Sequence, residues 1–525
     1  MRRIASFFNR RSTVSAAAII ISFSYLLSRL LGLLRDRLLV SHFGIGPETD
    51  AYTAAFRLPE ALFTLLVSGA FAVAFIPVFT EKLQKHQEKK AWELASLMLN
   101  LLSIITLAIG VVAFIFADPL TTLVAPGFDQ ARHDLTVDLT RIMLITPFLF
   151  AISSLWGSIA QSFNRFVIFA LASVFYNLGI IFGIVFLSPD HSIYGVAYGV
   201  VLGAALQAAL QIFGLIGLGY RHKLIFNFWN PDTRKVINLM IPRSIDQGID
   251  QLSYIIETII GSRLATGSLT ALYYANNLKN VPLVLIGNAI ATAAFPTMAA
   301  RAAKGSIEKL IRDFVINSRL ILFLVIPAAI VTVLMRGYIV RLLYGFGDVT
   351  TANTLGWFAG VIVFQALFFL VVRMFYALQD SKTPLYVSLV ALNFTVGLSF
   401  GLSELYGVVG LAMAHSLVAI GETVALIYLL RRKLGNIGLK NIWAGLSRMI
   451  IAGAIMASVV YIMVARVMPL YKADLGFAVV GPKFLLILLV GSLAYLIPCY
   501  LLDLKEAHRF IGKLKEQLLR PLNLT

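Results

Sequence analysis

The chain has 525 residues, of which 59% are hydrophobic and 13% are charged. This leaves too little polar surface for a soluble globule of that length, so a soluble protein is excluded and an integral membrane protein is predicted. The formal net charge of +18 could indicate a nucleic-acid partner, but the basic residues lie mostly between apolar segments, so no nucleic acid is predicted.

Apolar segments of membrane-spanning length follow one another along the whole chain. A bilayer core requires roughly 20 predominantly apolar residues in a helix. No loop is long enough for a separate catalytic domain, so the predicted fold is all-α, with about fourteen transmembrane helices. The segments are 14–38, 50–79, 91–117, 139–162, 166–187, 194–218, 236–262, 269–299, 314–335, 354–378, 384–402, 408–430, 444–468 and 482–502.

The first segment contains ionisable residues at membrane depth. At 100° per residue, Ser28 and Arg35 share one line of the helix, and Arg29 and Asp36 share a neighbouring line, which makes a polar strip. Each buried charge costs about 2.5 to 3.5 kcal/mol on insertion scales, so the strip predicts an internal cavity for a charged substrate. Alternatively, the long side chain of an arginine could extend to the membrane–water interface and place its charge in water. This alternative applies above all to Arg37.

The second segment contains a similar pattern. Asp50 and Arg57 are seven residues apart and Glu60 follows, while Pro59 removes one helical hydrogen bond and predicts a kink. These charges could pair only to hold helices together. The excess of arginines over nearby carboxylates instead favours an anion, and guanidinium groups suit the oxygens of a diphosphate.

The seventh and eighth segments supply further polar residues for the same predicted cavity. Four of them are predicted to bind substrate: Arg263, Asn276, Asn277 and Lys279. Asp246, Asp250 and Glu257 lie on one helical face and could form a cation or proton site, although paired charges inside a bundle explain them equally well. No metal-ligand spacing or catalytic motif was found, so no catalytic residue, metal or cofactor is predicted.

A weak internal repeat divides the chain. Asn177 and Asn393 are 216 residues apart and Pro59 and Pro282 are 223 apart, in addition to matching Tyr-Gly-Val triplets. Chance similarity is the alternative interpretation. The repeat predicts two six-helix lobes in parallel orientation, with helices 1–6 in residues 1–223, helices 7–12 in 224–434, and helices 13 and 14 with a tail in 435–525.

Basic residues are concentrated on one side of the predicted membrane. With a cytoplasmic N-terminus, 27 of them fall in inner segments and six in outer segments. This bias follows the positive-inside rule and predicts that both termini are cytoplasmic. The six outer residues are Arg132, Arg141, Arg336, Arg341, Lys472 and Lys483.

Several motifs resemble those of the MurJ (MviN) family of lipid II flippases, in the multidrug/oligosaccharidyl-lipid/polysaccharide exporter superfamily. They include Ser28-Arg29-x-x-Gly32-x-x-Arg35-Asp36, Thr49-Asp50-Ala51, Ala125-Pro126-Gly127-Phe128, Asn164-Arg165-Phe166 and the run Phe375-Tyr376-Ala377-Leu378-Gln379-Asp380-Ser381-Lys382-Thr383-Pro384. By position, Arg29, Arg35 and Asp50 match family residues associated with substrate handling.

The resemblance implies a transporter, not an enzyme, in the bacterial inner membrane. It would move lipid II, an undecaprenyl-diphosphate-linked peptidoglycan precursor, to the outer leaflet by alternating access through a cationic cavity. Helices 13 and 14 would hold the lipid tail. The implied partners are the glycolipid, membrane lipids and other cell-wall synthesis proteins.

The sequence departs from the family pattern at four cavity positions. Phe63 and Ser68 stand where the family has Arg and Glu, and Asn276 and Asn277 stand where it has Asp and Arg. Arg57, Glu60, Arg263 and Lys279 could compensate from neighbouring turns; otherwise the chain is a divergent paralogue. The eleventh helix has no carboxylate for a sodium site. The driving force is therefore left open between ion coupling and the membrane potential.

Other functions remain as alternatives at this stage. The chain could flip a different lipid-linked oligosaccharide, or it could be a drug or cation antiporter of the same superfamily, which would depend on buried carboxylates. A lipid-using glycosyltransferase would need acidic or metal-binding loop motifs. A scaffold without transport activity would tolerate loss of the cavity arginines.

Overall fold

The computed structural model describes residues 14–345, 347–474 and 476–519, and all regular secondary structure in these ranges is helical. The chain forms two compact units, Met1–Thr270 and Ala271–Thr525. The helices up to the end of the first unit are α1 (Val14–Phe43), α2 (Pro47–Ala55), α3 (Arg57–Leu66), α4 (Ser68–Gln84), α5 (Glu88–Ile115), α6 (Ala117–Val124), α7 (Gln130–Met143), α8 (Thr146–Ser162), α9 (Phe166–Phe182), α10 (Ser188–His191), α11 (Ile193–Leu215) and α12 (Pro231–Ser262).

The remaining helices are α13 (Ser268–Pro282), α14 (Ala289–Ala303), α15 (Ile307–Leu334), α16 (Arg336–Tyr344), α17 (Val349–Trp357), α18 (Ala359–Ala377), α19 (Lys382–Tyr406), α20 (Val408–Leu434), α21 (Leu439–Ile462), α22 (Phe477–Leu501) and α23 (Lys505–Leu519). Three π-helical turns, Gly183–Leu187, Leu283–Asn288 and Met463–Val467, follow α9, α13 and α21.

Twelve helices or helical runs in the described part of the chain are long and apolar enough to cross a bilayer. The two other long helices, α1 with 30 residues and α12 with 32, rise roughly 45 Å or more; α1 contains the polar strip, and α12 contains Asp246, Asp250 and Glu257. The chain is an all-helical, multi-pass membrane protein, and the total of fourteen spans stays a prediction.

The second segment is interrupted close to Pro59, where the sequence predicts a kink. Helical structure over residues 47–84 is divided at Phe56 and again at Val67. Pro59 has no N–H to donate to the Ala55 carbonyl, four residues earlier, and the Thr140 hydroxyl donates to that carbonyl at 3.5 Å. A side chain from α7 therefore occupies the acceptor that the proline leaves open.

The same left-handed turns recur in both halves of the chain. A positive φ is costly for residues other than glycine, yet it is found at four pairs of positions 215 to 223 residues apart, the spacing of the predicted repeat. The pairs are Gly44 and Gly267, His86 and Gly305, Asn164 and Gln379, and Ser192 and Gly407. The recurrence supports an internal repeat of about six helices.

The compact units do not follow the predicted lobe boundary. The division falls between Thr270 and Ala271, because α12 packs against α3 and α4 in the first unit. Residues 224–270 are therefore grouped with the preceding helices by contact, whereas the repeat groups them with those that follow. The boundary after residue 223 describes the repeat and stays a prediction.

Aromatic stacking organises the core of the first unit. Phe71, Phe75 and Phe79 lie at helical spacing on α4, and neighbouring ring centroids are 5.1 Å apart. All three side chains are fully buried, and Trp92 meets Phe79 edge-on. In the second unit, α15, α21 and α22 pack together around residues that include buried Tyr495 and Cys499.

Glycines allow α9 and α11 to approach closely. A Cβ atom at Gly179 would lie 2.3 Å from the Cα atom of Gly203, and one at Gly183 would lie 2.5 Å from the Cα atom of Gly199. Such separations are far inside van der Waals contact, so larger residues cannot occupy this crossing. Close packing of this kind is typical of membrane helices that associate through small residues.

Candidate functional site

The polar strip of α1 is connected to α9 by one asparagine. Arg35 donates to Asp36 Oδ1 from Nε at 2.9 Å and from Nη2 at 2.6 Å, and from Nη1 to Asn177 Oδ1 at 3.4 Å. Asn177 Nδ2 donates to Ser28 Oγ at 3.2 Å. Gly32 leaves room between the two, since a Cβ there would lie 3.8 Å from Asn177 Oδ1. Ser28 and Arg35 thus share one partner, as their spacing of seven requires.

Arg35 and Asp36 form a tight and largely buried ion pair. Their side chains are 17% and 5% exposed. The nearby carboxylate balances the guanidinium charge and holds it in a fixed orientation. The strip is therefore polar and ordered, but much of its charge is neutralised.

Arg29 differs from Arg35, the other arginine of the polar strip on α1. It is exposed, and its guanidinium lies 5.9 Å from the ring centroid of Tyr25. Within the described residues it has no carboxylate partner. Its positive charge is therefore not balanced by a described carboxylate.

Asp50 lies in the first turn of α2, where its carboxylate accepts from backbone and side-chain donors. Asp50 Oδ2 accepts from Gly267 N at 2.6 Å, and Oδ1 accepts from Thr270 N at 2.9 Å and Thr270 Oγ1 at 2.7 Å. The carboxylate is 2% exposed and lies where the first turn of α13 presents free N–H groups, a position that favours an anion. The structure gives Asp50 a capping role that the sequence pattern does not predict.

Arg57 connects α3 to α12. Its Nε donates to Thr258 Oγ1 at 2.9 Å, and its guanidinium lies 5.5 Å from the ring centroid of Tyr254. Glu60 Oε2 is 3.5 Å from Arg57 Nη1. Arg57 is 9% exposed, whereas the Glu60 side chain is 44% exposed. Tyr254 and Thr258, one turn apart on α12, thus hold a buried arginine of the kinked segment.

Arg263 ends α12 beside a glycine turn. The Ser262 hydroxyl accepts from Gly127 N at 3.1 Å, and a Cβ at Gly127 would lie 2.5 Å from Arg263 Cα. Only glycine fits there. The Ala125-Pro126-Gly127-Phe128 motif therefore packs against the C-terminal end of α12. The Arg263 side chain is exposed.

The second unit contains the remaining predicted residues on α13. Lys279 is 7% exposed, and its ammonium lies 4.3 Å from the ring centroid of Phe358, a cation–π contact. Asn276 and Asn277 are half-buried on the same helix. The predicted residues therefore form separate groups: α1 with α9, Arg57 and Glu60 with α12, Asp50 with the first turn of α13, and Asn276, Asn277 and Lys279 farther along α13.

Two of the positions that depart from the family pattern are Phe63 and Ser68. Phe63, in place of an arginine, packs on Phe150 with ring centroids 4.8 Å apart, so an apolar contact occupies that site. The side chains of Ser68, Asp246 and Asp250 lie outside the described residues. The proposed cation face on α12 is therefore represented only by Glu257, which is buried.

Sequence reasoning missed several partners. The sequence identifies Asn177 only as part of the internal repeat, and no sequence pattern identifies Tyr254 or Thr258. Arg373 is not among the predicted residues, yet its Nη2 donates to Asn288 Oδ1 at 2.9 Å and to Thr292 Oγ1 at 2.6 Å, and its buried Nε has no partner in the described structure. A lone arginine in a 19-residue apolar helix was the available signal.

The described residues contain no group of three histidine, cysteine or acidic side chains arranged to hold a metal ion. What the arrangement offers chemically is a series of guanidinium groups at membrane depth. Arg29 has no carboxylate partner among the described residues, whereas Arg35 and Arg57 are oriented by neutral and acidic partners. Such groups bind oxyanions through charge-assisted hydrogen bonds.

Comparison with known proteins gives a consistent result. The family model described as "Lipid II flippase MurJ" matches residues 39–479 of this chain. A "Probable lipid II flippase MurJ" of Vibrio cholerae serotype O1 is 28% identical over 462 residues, 84% of this chain and 87% of that protein. Another, of Rhizobium tropici, is 26% identical over 497 residues, 90% of this chain and 92% of that protein.

Solved structures show the same fold. "Lipid II flippase MurJ, inward closed conformation" superposes with a TM-score of 0.75 at 21% identity, covering 91% of this chain and 98% of that one. An inward-facing multidrug resistance MATE transporter of the MOP superfamily gives a TM-score of 0.64 at 16% identity, covering 80% and 98%. At these identities the likeness concerns the fold.

Proposed function

This chain belongs to the lipid II flippase MurJ family, and on that premise we propose that it moves lipid II from the inner to the outer leaflet of a bacterial inner membrane. The family assignment makes it a transporter and not an enzyme. The observation that carries the proposal is the family match over residues 39–479 in a chain with arginines at membrane depth.

The chemistry of the polar residues suits a diphosphate carrier. Arg29 has no carboxylate partner among the described residues and is free to meet an anion. Arg35 is oriented by Asp36 and Asn177, and the acid limits how tightly an anion is held. A carrier needs this balance, because binding that is too tight would trap the substrate before release. Guanidinium groups are weakly hydrated, so they can exchange water for phosphate oxygens at modest cost.

Alternating access is the mechanism proposed for this exchange. The cationic residues receive the diphosphate and sugars from one side, the lipid tail stays in the bilayer, and a change in conformation opens the other side. Arg57, Glu60, Arg263 and Lys279 compensate for the family charges absent at Phe63, Ser68, Asn276 and Asn277. This assignment fails if alanine at all four compensating positions leaves transport unchanged.

The remaining features are also part of the proposal. Both termini are cytoplasmic, as the distribution of basic residues predicts. Membrane lipids and other cell-wall synthesis proteins are the expected partners. The driving force is an ion gradient or the membrane potential, which supplies about 2.3 kcal/mol per charge and per 100 mV.

The deciding experiment measures outer-leaflet accessibility of lipid II in bacterial cells depleted of their own flippase and expressing this chain. Wild type should restore accessibility and Arg29→Ala should not. Arg37→Ala is the matched control, since it removes the same charge from the same helix. Absence of restoration by wild type, with membrane expression verified, would point to another lipid-linked oligosaccharide or a protein without flippase activity.

A further inference from the structure

The second unit contains an open cleft that the function above does not use. It encloses about 410 Å³ between α16, the start of α17 and the π turn after α21, within the range of roughly 300 to 1,000 Å³ found for ligand pockets. Its polar lining includes Arg336, Arg341, Asp348 and Asn353. Short π-helical segments often occur at functional sites, and Val464 and Ala465 of this one face the cleft.

Neither arginine of the cleft has an ion-pair partner among the described residues. Arg336 donates from Nε to Asn353 Oδ1 at 3.3 Å and from Nη1 to the Val333 carbonyl at 2.7 Å. Arg341 Nη1 donates to the carbonyls of Tyr471 and Asp474, while its buried Nε has no partner. Arg336 is oriented only by neutral acceptors, and Arg341, whose charge helps to lower the pKa of Asp474, has no described carboxylate within ion-pair distance.

The nearby carboxylates are occupied elsewhere. Asp348 Oδ2 accepts from Thr351 N at 2.5 Å and caps α17. Asp474 Oδ2 accepts from Lys483 Nζ at 2.7 Å, and hydrogen bonding to that lysine is the main cause of its lowered pKa. Asp348 brings one negative charge to the lining of the cleft, whereas Arg336 and Arg341 bring two positive charges.

Positive charge is concentrated here on the side of the membrane that otherwise lacks it. Of the six basic residues in the outer segments, four lie in the two stretches that bound the cleft: Arg336, Arg341, Lys472 and Lys483. Arg466 is exposed in the same π turn. Because outer segments of membrane proteins are not enriched in Lys and Arg, this cluster needs a cause other than topology.

The surroundings of the cleft are those of a membrane interface. Tyr461, Tyr471 and Phe477 are 63%, 62% and 65% exposed, as in the aromatic belts found at the headgroup level. Val464 and Leu470 add an apolar side to the lining. A ligand that suits both sides carries an anionic group on an apolar chain.

We propose that this cleft binds the phosphate group of an anionic lipid in the leaflet at this end of the second unit. Arg336 and Arg341 hold the phosphate oxygens through charge-assisted hydrogen bonds, and the acyl or polyprenyl chain lies along the apolar side. The assignment of this end to the outer leaflet rests on the proposed function, whereas the site itself does not.

The test is protection of a cysteine placed in the cleft. Cys499 is the only cysteine and is buried, so Ala465→Cys offers one accessible thiol for a maleimide. Labelling rates of the full chain are compared in nanodiscs of neutral phosphatidylcholine, with phosphatidylglycerol or undecaprenyl phosphate added, or with inorganic phosphate in solution. Ala131→Cys is the control, because it is exposed next to Arg132 in the first unit.

Anionic lipid should slow labelling of Ala465→Cys severalfold and leave Ala131→Cys unchanged. Adding Arg336→Gln should remove most of this protection, since losing one charge-assisted hydrogen bond weakens binding by about tenfold. Arg336 is replaced in preference to Arg341 because Arg341 donates to the carbonyls of Tyr471 and Asp474 and so holds the loop before α22. Protection by both lipids indicates a general anionic-lipid site, and protection by undecaprenyl phosphate alone indicates one selective for the polyprenyl carrier.

Three results would overturn the proposal. They are no protection by either lipid, protection that persists in Arg336→Gln, and protection by inorganic phosphate alone, which would remove the lipid from the assignment. Because the readout is binding at one thiol, any of these can occur in a chain that still restores lipid II accessibility. Failure of this site and failure of the flippase assignment are therefore distinguishable.

Discussion

At the scale of single residues, three of the cationic side chains in the membrane helices are held by described partners. Arg35 has Asp36 and Asn177, Arg57 has Thr258, and Lys279 has the Phe358 ring. An unpaired charge in hydrocarbon is costly, and these contacts reduce that cost. Arg29 stands apart because its described contact is only the Tyr25 ring. Arg29 is thus more available to an anion than these three held charges.

Replacing Asn177 by alanine should impair transport more than folding. The change removes the acceptor of Arg35 and the donor to Ser28, each a contact of about 0.5 to 1.5 kcal/mol. We expect up to about a tenfold lower lipid II transfer rate with little change in thermal unfolding. Asn227→Ala, at an exposed position, is the control. Equal transport by both variants would contradict a role for Asn177 in orienting Arg35.

Asp50 allows a capping role to be distinguished from a substrate role. Asp50→Ala should lower stability by about 0.5 to 2 kcal/mol, as lost helix caps do, while Asp50→Asn should lower it less because asparagine also caps. Thermal unfolding of the purified protein measures this. Loss of transport in Asp50→Asn without a change in unfolding would instead favour direct contact with substrate.

At the scale of helices and their junctions, two family motifs form matching turns. In the first unit, Arg165 follows the left-handed Asn164 and donates from Nη1 to the carbonyls of Gly214 and Ile216 at the end of α11, both at 2.8 Å. In the second, Asp380 follows the left-handed Gln379 and accepts from Lys433 at the end of α20 at 2.5 Å. Residues of opposite charge thus make the same connection.

The second of these turns should respond to pH. The hydrogen bond from Lys433 lowers the pKa of Asp380 to about 2, from the usual 3.9. Because the pKa is lower in the folded protein, the pair stabilises it above about pH 4, and this contribution is lost as pH falls towards 2. Asp380→Asn should unfold at a lower temperature than wild type at pH 7, with the difference shrinking towards pH 3. A constant difference would contradict the ion pair.

The crossing of α9 and α11 predicts a strong asymmetry between glycines in the matching stretches of the two halves. Gly179→Ala places a Cβ within 2.3 Å of Gly203 Cα, whereas Gly397, in the corresponding stretch after Asn393, has nothing within 4 Å. We expect Gly179→Ala to cost at least about 1 to 3 kcal/mol and Gly397→Ala to be tolerated. The yield of folded protein by size-exclusion chromatography provides the measurement, and equal yields would refute the prediction.

At the scale of the whole molecule, the chain shares its architecture with transporters of different cargo, so fold alone does not choose the substrate. If the substrate is a diphosphate lipid, added undecaprenyl diphosphate should inhibit lipid II transfer, and organic cations such as tetraphenylphosphonium should not. Transfer into the outer leaflet of reconstituted vesicles measures this. Inhibition by the cation, together with dependence on buried carboxylates, would favour the antiporter alternative.

The amino-acid sequence by itself determined the membrane class, the order of apolar segments, the polar strip on α1, the kink at Pro59 and the family, because these depend on composition, helical periodicity and local motifs. Tertiary structure decided which charge meets which partner. Asn177 lies 142 residues from Arg35, and Thr258 lies 201 residues from Arg57, so these contacts depend on the packing and rotation of separate helices. The same holds for Asp50, whose role is set by a turn 217 residues away. Periodicity specifies a helical face, and only packing specifies what that face meets.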